Sequence, residues 1–296
     1  MAARIDEFLI DVRPQREWGW LVISYLFLGG AGAGLFLVSL YLEHLWAGVL
    51  GLLVLLVGTV LLLLDLGRPE RFWRAFFRPQ TSWISRGCFF ITLLFVLGVI
   101  ELALQWPGLE LPAWLSEGTT LRTSLRVAGG GAAVLVMIYT GFVLAPSPAI
   151  PFWNSAFFPI IFFAYSLLAG IDILILTSPM LPGPSLDLML LERNQNYLVI
   201  LCLLLVLSHV SVMSSSAVAA RESIRLLTRG RWASLFLGGV IGAGLIVPLL
   251  LALPVVWEAQ VQTVFALTFI LALLRLFGDY LFRFLVMRVG LYDPLL

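Results

Sequence analysis

Eight long, almost unbroken apolar stretches dominate the chain, at approximately Trp18–Leu42, Ala47–Leu64, Gly87–Leu104, Leu125–Leu144, Ala156–Leu176, Tyr197–Ala220, Ala233–Val256 and Gln262–Val289. Most approach or exceed the roughly 20 residues that carry a helix across a bilayer. The hydrocarbon phase offers no water to the backbone, so helices, which satisfy their own N–H and C=O groups, are the expected form of such runs. The third stretch is the shortest and the last the longest, with charges inside it. The pattern predicts an all-α integral membrane protein with eight transmembrane helices. An even number places both termini on one face, termed the terminal face below.

Composition agrees. Of 296 residues, 61% are hydrophobic and 12% charged, with mean hydropathy +1.03, whereas a soluble domain carries about 25% charged residues. A Pro-rich, uncharged segment, Ala145–Ser155, divides the helices into two sets of four. The first twenty residues are mixed in sign, without the apolar core of a removable signal peptide.

Net charge is +1, which argues against a nucleic-acid partner, and all 18 basic residues are arginine. Fourteen arginines are expected on the terminal face: Arg4, Arg13, Arg16, five from Arg68 to Arg86, four from Arg221 to Arg231, Arg283 and Arg288. Arg122, Arg126 and Arg193 are expected on the far face, and Arg275 lies within the last stretch. An arginine excess in short loops marks the cytoplasmic side. The same arginines also suit the docking of an acidic subunit on either side.

Several residues are candidates for chemistry. Gly29–Gly34 (GGAGAG) lacks the spacing and the strand–turn–helix context of a dinucleotide loop. Two readings remain, a small-residue face with Gly30 and Gly34 in GxxxG register, or bare backbone against which a flat ring lies. The two histidines, His44 and His209, are expected at mismatched depths and make no bis-imidazole haem site. Two cysteines, Cys88 and Cys202, supply neither a cluster nor a disulfide framework. Asp172, His209, Arg275 and Asp279 are ionisable residues within spans and hence functional candidates, for a proton path or as buried hydrogen-bonding groups. Arg275 and Asp279, four apart, also read as a self-neutralising pair. Glu43 and Glu101 read as snorkelling residues at the far face. Tyr25 and Tyr139 are predicted at similar depth near the terminal face, where a phenol can be a belt residue or can donate to a quinone carbonyl. A transporter with paired broken helices fits poorly, because Pro248 and Pro254 interrupt only the seventh stretch.

The chain resembles the NrfD/PsrC membrane subunits of polysulfide reductase and related molybdenum or tungsten oxidoreductases. The resemblance is carried by EWGW with LFLGGAGAGLFL, by LDLGRPERFWRAFFRPQTSWISRGCF (Leu64–Phe89), by YTGFVLAPSPAIPFWNSAFFPIIF (Tyr139–Phe162) and by RLFGDYLFRFLVMRVG (Arg275–Gly290). It implies an eight-helix subunit of two four-helix bundles, residues 1–147 and 148–296, acting as a quinone-reactive membrane anchor, not catalytic alone, of a prokaryotic inner-membrane complex. Its partners would be a four-cluster, ferredoxin-like iron–sulfur subunit and a large molybdopterin-type catalytic subunit, which alone hold clusters and metal cofactor. Menaquinone or ubiquinone would bind in the first bundle beside Tyr25, Gly30, Asp65, Arg68 and Tyr139, with Arg71, Arg74, Arg78, Trp153 and Asn154 at the docking face. Tyr25 falls where those reductases carry a histidine. Their partners face away from the cytoplasm, whereas the arginine asymmetry here predicts cytoplasmic partners.

Overall fold

The computed structural model describes residues 12–110, 112–116, 118–257 and 261–293. The long helices are α1 (Trp20–Leu42), α2 (Leu45–Asp65), α3 (Trp83–Leu104), α4 (Thr120–Phe142), α5 (Phe157–Thr177) and α6 (Leu188–Ser214). A short α7 (Val218–Thr228) follows, then a π-helical stretch (Ser234–Ile246) running into α8 (Val247–Trp257), and finally α9 (Val261–Arg288). Among the described residues, seven helices are long and apolar enough to cross a membrane. Pro248 sits where the winding of the seventh changes from π to α. It has no N–H for the carbonyl one turn back and its ring crowds that turn, and the chain ahead of it is wound as a π-helix, a form otherwise rare.

Several ends differ from the hydropathy pattern, because polar residues enter the helices as caps and first turns. Ser82 caps α3 by accepting from Ser85 N, so Trp83–Arg86 are helical rather than loop. Asp187 caps α6 in the same way, bringing Glu192 and Arg193 inside the helix. The sixth stretch then ends at Ser214, with Ala217–Ala220 passing into α7. His209 therefore lies in the last two turns of α6, not near mid-helix.

α1 is the hub, packing on α2, α4, α5 and α9, while α5 packs on α1, α4, α6 and α9. The glycine run makes this possible. A Cβ on Gly32 would meet Leu55 N at 2.5 Å and Gly51 O at 2.7 Å on α2. On the other side of α1, a Cβ on Gly34 would meet the Ser166 carbonyl group of α5, and one on Gly170 of α5 would strike the Gly34 backbone in return. Small residues let helix backbones approach where lipid supplies little hydrophobic drive. The α1–α2 connection is only Glu43 and His44; Glu43 takes a left-handed conformation (φ 53°) and His44 caps α2.

On the terminal face, Arg13–Pro14 (β1) and Leu291–Tyr292 (β2) form a two-residue antiparallel ladder. Gln15 Nε2 donates to Met287 O (2.8 Å), and Asp293 N to Ala149 O (3.0 Å) in the Pro-rich turn. The first and last described segments thus lie side by side.

Substituting Gly34→Ala is expected to destabilise the detergent-solubilised protein by about 1–3 kcal/mol through overpacking. Gly131→Ala, on the exposed side of α4 with nothing within 4 Å, is expected to leave thermal unfolding unchanged or slightly later. Equal midpoints for the two variants would contradict the close-contact account.

Candidate functional site

A cavity of about 280 Å³ opens at the terminal face between α1, α2, α3, α4 and the nine-residue 3-10 segment Pro69–Phe77. Its lining includes Trp18 just ahead of α1, Tyr25 and Leu26 from its first turns, Leu62 and Asp65 from the end of α2, Phe72 and Ala75, Cys88 and Ile91 from α3, and Tyr139 and Val143. The walls are mostly apolar with few polar groups, the usual make-up of a small-molecule site.

Three of the residues singled out in the sequence, Tyr25, Asp65 and Tyr139, line this one cavity. Tyr25 is 4% and Tyr139 2% exposed, and neither phenol is hydrogen-bonded to another described residue. Asp65, the last residue of α2, stands exposed at the mouth. Tyr139 is set by Gly87, since a Cβ there would come within 2.7 Å of the phenol ring carbon that bears the hydroxyl. Phe90 meets the Tyr139 ring edge-on at 6.3 Å. At the rim Glu17 accepts from the Tyr292 hydroxyl (2.7 Å), a bond that holds the phenol pKa above its ordinary value.

The 3-10 segment is fastened over the cavity by residues that the hydropathy pattern alone leaves in the loop. Ser85 accepts from Arg78 N (3.1 Å) and donates to Ala75 O. Arg86 donates to Pro79 O (2.7 Å) and Gln80 O (2.8 Å) while lying over the Trp83 ring, which stacks on Phe142 at 4.2 Å. The signal present in the sequence is Ser82 three residues ahead of Ser85, a cap at the head of an apolar run.

Other expected site residues lie elsewhere. Gly30 is buried against Ser166 of α5 with Arg283 close by, so it belongs to the helix contact and not to the cavity wall. Arg68 precedes the 3-10 segment and is exposed, outside the cavity lining. Arg71, Arg74 and Arg78 are exposed on the same segment. Asn154 is exposed, but Trp153 is 3% exposed, donates to Val286 O (2.9 Å) and packs on Trp18. Trp153 is thus an internal clamp between the Pro-rich turn and the end of α9, not an outward surface.

The ionisable residues within the helices fall into separate groups. Arg275 does not pair with Asp279. It donates to Asp172 Oδ1 (2.8 Å) on α5 and to both oxygens of Glu192 (2.6 and 3.1 Å) on α6. Asp279 pairs with Arg283 one turn on (2.8 and 3.3 Å). Arg283 is fully buried over the Phe162 ring, so it does not belong to the arginine band of the terminal face. His209 stands apart, facing Ser155 Oγ (3.3 Å) among Phe152, Phe157 and Phe158. Glu101 does not snorkel; it is buried and bridged to Arg122 (3.2 Å) and Arg126 (3.3 Å), while the more exposed Glu43 meets Arg126 at 2.7 Å. Arg122 is buried with it and is no surface charge.

Comparison with known proteins finds similarity over nearly the whole chain. Residues 10–293 match the family described as Polysulphide reductase, NrfD. The C chain of polysulfide reductase from Wolinella succinogenes is 29% identical, over 92% of this chain and 94% of that protein. Protein NrfD of Escherichia coli is 28% identical over 79% of this chain and 83% of its own, and the NrfD homolog of Haemophilus influenzae 24% over 94% and 95%. With seven described helices long and apolar enough to cross a membrane, and a family model matching nearly its full length, the chain is a member of the NrfD polysulphide reductase family.

Proposed function

We propose that the chain is the quinone-reactive membrane anchor of a multi-subunit oxidoreductase, passing electrons between a docked iron–sulfur subunit and the quinone pool. The observation that carries this reading is the terminal-face cavity, in which two buried, unengaged phenols and a carboxylate meet an apolar wall. A quinone head group needs that combination. Its ring lies against apolar walls, its carbonyls accept from phenols, and its reduction takes up two protons, for which a titratable group at the site is required. Tyr25 and Tyr139 would donate to the carbonyls, and Asp65 at the mouth would relay protons from water.

The exposed arginines at 71, 74 and 78, with Asn154, would form the seat of the iron–sulfur subunit, directly over the cavity and so within short electron-transfer reach of it. The name of the Wolinella relative marks it as one chain of a reductase. Carried to this protein, that implies further subunits, with clusters and any molybdenum or tungsten cofactor held there. Menaquinone and ubiquinone both suit the cavity. The reading takes α9 as the eighth crossing and the chain as two four-helix bundles, 1–147 and 148–296. It is supported by the run of contacts α1–α2–α3–α4 and α5–α6–α8–α9, although α1 and α5 also join the two halves extensively. With Arg283 and Arg122 taken out as buried residues, the arginine excess still lies on the terminal face, which supports inner-membrane insertion with that face cytoplasmic.

A second reading, a proton-translocating subunit, is favoured by the charged groups buried between α5, α6 and α9. It predicts that the complex, turning over quinone in sealed proteoliposomes, produces an uncoupler-sensitive pH change beyond that of the quinone chemistry. A stoichiometry fully accounted for by quinone contradicts it.

In the assembled complex, Tyr139→Phe is expected to raise KM for a short-chain quinone or lower turnover by about 2- to 10-fold, one net hydrogen bond of roughly 0.5–1.5 kcal/mol. Gly87→Ala, which pushes the same ring aside, is expected to do likewise. Unchanged quinone kinetics in both variants would remove the cavity from the reaction. A protease-sensitive tag on the N-terminus is expected to stay intact in cells with an opened outer barrier and a sealed inner membrane; cleavage from outside would reverse the topology.

A further inference from the structure

Between α5, α6 and α9 two carboxylates share one guanidinium, and the side chains of Asp172, Glu192 and Arg275 are all fully buried. As ions they sum to minus one. An uncompensated charge in a low-dielectric interior costs several kcal/mol, and such groups are paired, neutralised or bound to a cation. The residues preceding the two acids, Ile171 and Leu191, are buried and apolar, and no charge from them offsets the excess.

The geometry distinguishes the two acids. Glu192 accepts at both oxygens in the bidentate, fork-to-fork form typical of an ionised carboxylate on arginine. Asp172 accepts only at Oδ1, and its Oδ2 is buried without a partner among the described residues. Beside Asp172 stands Gln195, wholly buried and within hydrogen-bonding range of the carboxyl group, and Asn196 Oδ1 is buried and unengaged. The net minus one of the triad calls for one proton, and Oδ2 is the carboxyl oxygen that Arg275 leaves free to carry it. With a proton on Oδ2, Asp172 becomes a donor, and an amide turned to present its oxygen becomes the acceptor.

We propose that Asp172 carries a resident proton on Oδ2, donated to Gln195, so that the Asp172–Arg275–Glu192 triad is a one-proton binding site. The site goes beyond both readings above, because charge balance defines it whether or not quinone binds in the cavity or protons cross the membrane. The groups that set its occupancy are Glu192 and Gln195 from α6 and Arg275 from α9, with the neutralised Asp279–Arg283 pair farther along α9.

Infrared spectroscopy of the full chain at neutral pH in sodium-free detergent solution tests this directly. The wild type is expected to show the carbonyl stretch of a protonated carboxylic acid, above the amide band, moving to lower frequency in D2O. Asp172→Asn is expected to abolish the band. Glu192→Gln is expected to abolish it too, because Asp172 then becomes the sole counter-ion of Arg275 and gives up its proton. Glu101→Gln, in the separate far-face cluster, is expected to leave it unchanged. Absence of the band from the wild type, its survival in Asp172→Asn or in Glu192→Gln, or its loss on adding sodium to the wild type would overturn the assignment, the last by making the occupant a metal cation. The isotope shift is read on the unaltered chain and holds even where a variant fails to fold.

Discussion

Glycines at 30, 32 and 34 leave α1 without side chains where it passes α2 on one side and α5 on the other. In lipid, helices gain little by hiding apolar surface from each other, so contact at this range is what attracts them. Because α1 touches both halves of the molecule, the same residues fix the terminal end of α1, where Tyr25 enters the cavity, against α2, whose last residue is Asp65 at its mouth. They also bring α5 close enough for Ser166 to sit beside Gly30 with Arg283 behind it. The cavity and the buried charges therefore share one support.

Around that hub the charges are arranged by helix rather than by sequence neighbourhood. Arg275 draws its counter-ions from α5 and α6, and Glu101 of α3 takes its counter-ions from α4. Removing one partner from such a buried pair costs about 3–5 kcal/mol, since a bare charge remains. These links fix the relative rotation of helices whose lipid-facing surfaces are otherwise interchangeable leucines and valines. The second group with this role is the terminal clamp of Gln15, Trp153, Met287 and Val286, which ties the segment ahead of α1 and the end of α9 to the Pro-rich turn.

Much of this was legible in the sequence, and the limits have physical causes. Hydrophobic runs longer than a bilayer is thick gave the helices, and Tyr25 and Tyr139 could be placed at similar depth by counting turns, with Asp65 added by the family resemblance. Hydropathy could not see Ser82 and Asp187 as caps, because a cap is a hydrogen-bond event one residue wide; with them Ser85, Arg86 and Glu192 were left in loops. The Arg275–Asp279 spacing suggested a pair that tertiary geometry replaced with Asp172 and Glu192, stronger because it is bidentate and buried. Gly30 illustrates the reverse case. Its two readings were open from spacing alone, and the approach of Ser166 decided for packing. The family resemblance put Trp153 at the docking face, but its ring meets Trp18 and its N–H meets Val286 O inside the protein.

The central claim is that a quinone occupies the space between α1, α3 and α4 under the 3-10 segment. Photolabelling the complex with an azido-quinone, followed by peptide mapping, addresses it most directly. The account predicts label on segments bearing Tyr25, Cys88–Ile91 or Tyr139, protected by excess unlabelled quinone. Protectable label confined to α5–α9, or none on this subunit, would contradict it.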